Sequence, residues 1–519
     1  MLPLIDGSLV LLTLIFVLSI TLILSVRQLA ASRRPHHRQK SSSSGKDDDH
    51  VACDLCFFHP HTIDGGGGER VLWCIISAIE SAIDTLLPGR SSPGTENADA
   101  HLRLHIYTGD DASPSSLAAR PASVEGLDPP SRSISFHRVH LRSLSEPRMY
   151  PIATLLCQLL LSAPLAIEAL LRAYVPGVVV DTSGSTPLIH VVANVFGIDS
   201  IAYVHYPLVS SQMLGRVRDG LEMYNNRASF TSGLAKKAKT IYYMMIRKMY
   251  GIAMRNARLV MANSSWTANE VRGAMKMKEE EEEVVEEGAR ERCQGGVHVV
   301  YPPCDTARLN ALPLKRDRRA GETIFVSVAQ FRPEKDHAMQ LRAFARALRD
   351  YPRAMRNASL EVVGSCRNAA DEKRLDALRV LAKDLDIADV VHFHVALPFP
   401  DLVALLGRAH AGLHTMEDEH FGIVVVEYMA AGAVPIAHNS AGPRMDIVGP
   451  ANDASAPMRA GFLARSEHEY ATAIGDLASM REKDRLACAS AARDFVVDRF
   501  SIAAFHSRVA QLIASDMLR

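Results

Sequence analysis

The chain has no charge excess of either sign: 58 Lys and Arg offset 58 Asp and Glu over 519 residues. A nucleic-acid binder needs a basic surplus to neutralise phosphates, so the balance argues against nucleic acid as a partner. Close cysteine pairs are scarce too. Of eight cysteines only Cys53 and Cys56 are near neighbours, in a predicted strand where successive side chains alternate faces. No second pair completes a zinc pattern, and scattered thiols fit a reducing compartment rather than a disulfide framework. What the chain does have is an apolar fraction of 48%, enough for a sizeable core, and length for two or three domains.

Charge is absent altogether from Gly7 to Val26, which is dominated by Leu, Ile and Val. A helix of about twenty residues spans about 30 Å, the hydrocarbon thickness of a bilayer. The flank before it carries Asp6 and no Lys or Arg; the flank after it carries Arg27, Arg33, Arg34, Arg38 and Lys40. The positive-inside rule therefore predicts a single N-terminal transmembrane anchor, residues 1–30, with the rest of the chain in the cytosol. A cleaved signal peptide is disfavoured by the missing basic start and the length of the apolar run. Residues 31–50, ending Ser-Ser-Ser-Ser-Gly-Lys-Asp-Asp-Asp-His, read as a flexible tether. In a cytosolic chain the sequons at Asn263 and Asn357 stay unused.

From Val51 onward, short apolar strands alternate with amphipathic helices, the pattern of a parallel, doubly wound sheet. It runs to Tyr301-Pro302-Pro303, a stiff break, and then repeats from Ile324. Two Rossmann-like domains are predicted, residues 51–303 and 304–519, the first interrupted by an acidic insert at about 275–295. Glu279 to Glu287 holds seven glutamates in nine positions, a solvated loop. Two segments bear on a second membrane contact. Pro151 to Ile167 is uncharged and leucine-rich but broken by Pro164, and reads first as a buried helix. Lys236 to Arg258 mixes lysines and arginines with tyrosines, methionines and Ile246; a basic amphipathic helix suits an anionic lipid surface, and an ordinary surface helix is equally compatible.

The chemistry concentrates late in the chain. Glu419-His420-Phe421-Gly422-Ile423-Val424-Val425-Val426-Glu427 places one glutamate after a strand and another inside an apolar helical run. A carboxylate in such a run needs a partner, and adjacent sugar or ribose hydroxyls supply one. Gly422 lets a ligand approach the backbone, and the helix opening at Ile423 presents free N–H groups suited to phosphate. Further upstream, Gln330-Phe331-Arg332-Pro333-Glu334-Lys335 joins a buried strand to a helix. Arg332, as a planar fork, and Lys335, as a point charge, lie at the strand's carboxyl end, where ligands of open α/β sheets gather.

Three more motifs stand beside these: His59-Pro60-His61-Thr62-Ile63-Asp64 followed by Gly65-Gly66-Gly67-Gly68-Glu69-Arg70; Tyr203-Val204-His205-Tyr206-Pro207; and Asn439-Ser440-Ala441-Gly442-Pro443-Arg444-Met445-Asp446-Ile447-Val448. Together, from Cys53 to the C-terminus, they resemble the GDP-mannose:Man3GlcNAc2-diphosphodolichol α-1,2-mannosyltransferases of asparagine-linked glycosylation, retaining enzymes of GT-B fold. The resemblance implies two domains facing a cleft. It places Glu419 on the mannose, Glu427 on the ribose, Arg332 and Lys335 on the diphosphate, and Phe421, Gly422 and Ile423 along the donor. It puts His205 near the reacting centre and Gly65 to Gly68 against donor phosphate or acceptor. It also implies an endoplasmic-reticulum membrane location, a dolichol-diphosphate oligosaccharide acceptor, and other mannosyltransferases of the pathway as partners. No cofactor and no metal are expected. Metal-dependent transferases use an Asp-x-Asp at a strand end, and here Asp47-Asp48-Asp49 lies in the tether. Other readings stay open: another lipid-linked GT-B transferase, such as the N-acetylglucosaminyl-phosphatidylinositol synthase, or a catalytically silent membrane scaffold.

Overall fold

A computed structural model describes residues 28, 53–63, 67–86, 102–120, 127, 129–150, 153–220, 233–276, 296–315, 322–451 and 460–517. The expected anchor at Gly7 to Val26, the tether, Gly65, Gly66 and the acidic insert lie outside the described residues.

Runs of β-branched and aromatic residues such as Thr323–Val328 form strands buried on both faces, as parallel sheets require. The first sheet holds β1 (Cys53–Phe58), β2 (Leu102–Thr108), β3 (Ile134–Arg138), β4 (Val178–Asp181), β5 (Asp199–Val204), β6 (Leu259–Ala262) and β7 (Val297–Val299), in the order β3-β2-β1-β4-β5-β6-β7. The second holds β8 (Thr323–Val328), β9 (Ala358–Gly364), β10 (Val391–Val395), β11 (Ala411–His414), β12 (Val434–His438) and β13 (Phe462–Ala464), in the order β10-β9-β8-β11-β12-β13. All ladders are parallel; β1, for example, runs beside both β2 and β4. Each order reverses once, between β1 and β4 and between β8 and β11, and the crevice beyond the strand ends at such a reversal is where this architecture binds ligands. The alternation read from sequence is thus two Rossmann-like α/β domains. β13 was not among the expected strands, being only three residues long.

The helices that position the site are α1 (Gly67–Leu86), α2 (Thr154–Ile167), α3 (Ser211–Asp219), α4 (Gly233–Met254), α5 (Ser265–Met275), α6 (His337–Asp350), α7 (Ile423–Ala431), α8 (Glu482–Phe500) and α9 (Ile502–Met517). By sequence, residues 304–519 form the second domain with a helical tail of the kind that GT-B folds commonly pack back on the first, and α9 packs there. Phe505, Val509, Leu512 and Ile513 are buried among Val71, Ile75 and Ile79 of α1. The chain crosses at two adjacent places, where the Cys304 N–H donates to the Phe500 carbonyl at 3.0 Å and Cys304 bridges to Ser501.

The apolar helix that the structure does describe is Thr154–Leu171, long and apolar enough, by length and composition, to cross a membrane. Leu159, Ser162, Leu165 and Ala166 are buried, but Leu160 and Ile167 are exposed. The helix is half-buried, more open than the sequence suggested. It lies against α4, where the Tyr242 hydroxyl accepts from the Leu156 N–H at 3.1 Å. Helix α4 carries no acidic residue, and its outer face shows Leu234, Ile241, Met244, Met245 and Ile252.

Candidate functional site

Both reversals carry the predicted motifs. The loop after β8 folds into a single 3-10 turn at Pro333–Lys335 and ends at Asp336, whose backbone is left-handed (φ 43°). Asp336 caps α6 by accepting from the Met339 N–H at 3.1 Å. That turn aims Lys335 at the loop after β11, where its Nζ donates to Glu419 Oε2 at 2.6 Å and touches Met416 Sδ at 3.1 Å. Glu419 also takes a bond from His414 Nε2 at 3.1 Å. Burial alone raises a carboxylic acid's pKa, but Lys335 and His414 outweigh it and hold Glu419 well below the usual carboxylate range. Lys335 and Glu419 are thus one ionised unit over the β8–β11 reversal. Thr415 fastens the two loops, its hydroxyl donating to the Lys335 carbonyl at 2.7 Å while Gln340 Nε2 donates to it at 2.9 Å. Arg332 is ion-paired with Glu334.

The Glu419 loop is braced from below by the Asn439–Val448 motif. The Gly442 N–H donates to the Glu419 carbonyl at 3.0 Å. A Cβ on Gly442 would sit 2.3 Å from the Phe421 carbonyl oxygen, so only glycine permits this approach. Gly422 opens α7 with φ 101°, a left-handed conformation that strains any residue with a Cβ. No side chain caps that end, leaving its first N–H groups to other acceptors. The Phe421 side chain is core, buried against Tyr301 (ring centroids 5.8 Å) and Phe500 (5.4 Å). Ile423 is half-buried. Glu427 lies one helical turn further in, and burial raises its pKa against the opposing pull of Arg70 on α1.

On the first domain, His205 follows β5. Its Nε2 donates to the Thr182 carbonyl at 3.0 Å, which leaves Nδ1 as the acceptor. Burial lowers its pKa, partly offset by the Thr182 bond, so the ring is neutral. His59 stands beside it, bonded through Nδ1 to Thr182 Oγ1 at 2.9 Å and pushed down to about 3 by burial and by its neighbouring histidines. Gly67 and Gly68 open α1 against this pair: a Cβ on Gly68 would rest 3.7 Å from His59 and 3.9 Å from His205, and one on Gly67 would meet nothing within 4 Å.

The two carboxyl edges face each other. Tyr206, next to His205, lies near His420, next to Glu419 (ring centroids 6.0 Å), and Trp266 lies 5.2 Å from the same ring. Asp446, fully buried, accepts from the Ser265 N–H at 3.1 Å and the Tyr301 hydroxyl at 3.0 Å. Arg216 on α3 reaches Asp418 at 2.6 Å and Glu417 at 2.8 Å. The structure therefore joins Lys335 with Glu419 directly, sets Gly422 beside them and His205 with Gly67 and Gly68 opposite. Glu427 sits deeper, near Arg70.

Several supporting residues escaped the sequence reading. His414 had a signal, being the last residue of the strand before the loop. Asn263, read only as an unused sequon, donates its amide to the His205 carbonyl at 2.7 Å. Arg216, Asp418 and the Asp446–Ser265 bond had none.

Family models match both halves: ALG11 mannosyltransferase N-terminus over residues 53–275, and glycosyl transferases group 1 over residues 313–495. Among solved structures, Anabaena Alr3699/HepE in complex with UDP superposes with a TM-score of 0.56 at 13% identity, covering 89% of this chain and 100% of that one. The N-terminal domain of Candida albicans trehalose-6-phosphate phosphatase superposes with a TM-score of 0.60 at 11% identity, covering 92% and 99%. These likenesses bear on the fold, which is GT-B. The GDP-Man:Man(3)GlcNAc(2)-PP-Dol alpha-1,2-mannosyltransferase of Homo sapiens is 36% identical over 453 residues, 86% of this chain and 84% of its own length. Its Dictyostelium discoideum namesake is 35% identical over 461 residues, 88% and 83%. The chain belongs to this family of mannosyltransferases.

Proposed function

We propose that the chain transfers mannose from GDP-mannose, in α-1,2 linkage and with retention, to dolichol-diphosphate-linked Man3GlcNAc2 and then Man4GlcNAc2 on the cytosolic face of the endoplasmic reticulum. The observation that carries the site is the Lys335–Glu419 pair over the β8–β11 reversal, beside the open end of α7. Glu419 takes mannose hydroxyls, and Glu427 takes the ribose. Lys335, Arg332 and the Ile423 end of α7 stabilise the negative charge that grows on departing GDP, a task cationic side chains perform without a metal. Neutral His205, held by Thr182 and Asn263, faces the sugar from the first domain. The glycines before α1 admit donor phosphate or acceptor.

The acceptor is a lipid, and two features fit it to a membrane: the exposed apolar side of α2 and the acid-free face of α4. An anchor in residues 1–30 completes the attachment, and other mannosyltransferases of the pathway are candidate neighbours there. Purified protein, lipid-linked Man3GlcNAc2 and a panel of nucleotide sugars test the reading. Transfer from GDP-mannose alone is expected; transfer from a UDP-sugar, or donor binding without transfer, would refute it.

A further inference from the structure

Two first-domain helices make polar side-chain contacts with the second domain's loops: α5, whose start is held by Asp446, and α3. The second is placed where a catalytic loop is most easily disturbed. Asp418 immediately precedes Glu419 and has a left-handed backbone (φ 59°), unusual for a residue with a Cβ. Within its own domain its N–H donates to Ser440 Oγ at 2.8 Å, which is in turn bonded to His438 at 2.8 Å. From across the cleft its carboxylate is taken by Arg216 at 2.6 Å, with Glu417 on the same guanidinium at 2.8 Å. Arg216 is not on a loose segment. Helix α3 is capped by Ser210, and the Ser211 N–H donates to Glu270 at 2.8 Å; Glu270 is also held by Arg247 at 2.6 Å. The Arg216 guanidinium thus joins a braced first-domain helix to the residue beside Glu419.

We infer that Arg216 is a positioning residue: by clasping Asp418 and Glu417 across the cleft it fixes the Glu419 loop in register with His205. This rests on the assignment of Glu419 and His205 to the transfer reaction. The clasp holds a strained backbone rather than touching substrate, so its loss should act on turnover more than on donor binding. It should also respond to pH. Asp418 is surrounded by Arg216 from α3, Glu417 on its own loop, Glu270 from α5 and Arg465 after β13. Burial, with Glu417 and Glu270, raises it to about 6 against the pull of Arg216 and Arg465. The carboxylate is ionised only above that value, so the clasp is strong at neutral pH and weakens as pH falls through it.

The test is steady-state transfer from GDP-mannose, with melting temperature, for Arg216→Gln, Arg216→Lys, Glu417→Gln/Asp418→Asn and the triple variant. Expected are a drop in kcat of about tenfold or more for Arg216→Gln, with KM for the donor changed far less, an unchanged melting temperature and partial recovery in Arg216→Lys. The triple variant should be no worse than Arg216→Gln, because all remove one interaction. Wild type should lose kcat as pH falls through about 6, and the Glu417→Gln/Asp418→Asn variant should lack that limb. Wild-type kcat in Arg216→Gln, losses that multiply in the triple variant, or a loss that follows a lowered melting temperature and is not relieved by lysine would overturn the inference. A wild-type protein that never transfers mannose would instead overturn the site assignment.

Discussion

Lys335 and Glu419 hold each other, so neither can be altered alone. Lys335→Ala removes a charge-assisted contact and leaves the Glu419 carboxylate bonded to His414. Such contacts are worth roughly 1.5–3 kcal/mol, and kcat/KM should fall about a hundredfold in Lys335→Ala and in Arg332→Ala. Glu419→Ala should lower kcat most of all. Because the two share one bond, the Lys335→Ala/Glu419→Ala double variant should lose less than the product of the single losses; full multiplication would show that they act separately. Glu427→Ala should weaken GDP affinity with a smaller effect on kcat, since the ribose is unchanged by transfer. Steady-state rates beside GDP binding by calorimetry separate these cases. Burial keeps His205 neutral against the opposing pull of the Thr182 bond, and Asn263→Ala, which frees the His205 carbonyl, should reduce kcat without touching GDP affinity.

At the scale of the element, Phe421 anchors the loop that bears Glu419 by packing on Tyr301 and Phe500. Phe421→Ala opens a cavity costing about 3–5 kcal/mol, and the expected result is a lower denaturation midpoint together with slower turnover. A midpoint equal to wild type would place that ring outside the core. Helix α4 supports a second expectation: its basic, apolar outer face should bind vesicles rich in anionic lipid and release them when Ile241, Met244 and Ile252 are replaced by Ser. The elements themselves were legible because their signals are local. Apolar runs gave the strands, and Gly422 and Arg332-Pro333-Glu334-Lys335 marked the loops at the strand and helix ends. Phe421 was expected along the donor, and its ring turns into the core; sequence shows its adjacency to Gly422 but not which way the ring turns. The ties between the domains were illegible: Arg216 and Asp418 lie 202 residues apart and belong to no periodic pattern.

For the whole molecule, the cations of the second domain are expected to sustain transfer in excess chelator; abolition with rescue by Mn²⁺ or Mg²⁺ would sink that division of labour. Protease added to sealed microsomes should digest the region after Lys40, and glycans on Asn357 would contradict a cytosolic body. The path of the chain has its own consequence. Since α9 returns to α1 after leaving the second domain beside Cys304, the second domain is topologically an insertion within the first, and β1 and α9 belong to one half. A protein cut at residue 303 would bare the apolar groove of α1 on one fragment and an orphan helix on the other, and both should aggregate. Supplying residues 502–517 in fusion with the first fragment should restore its solubility. A circular permutation that joins the two ends and opens the chain at Cys304 alone, or at Ser501 alone, would therefore make each half continuous in sequence.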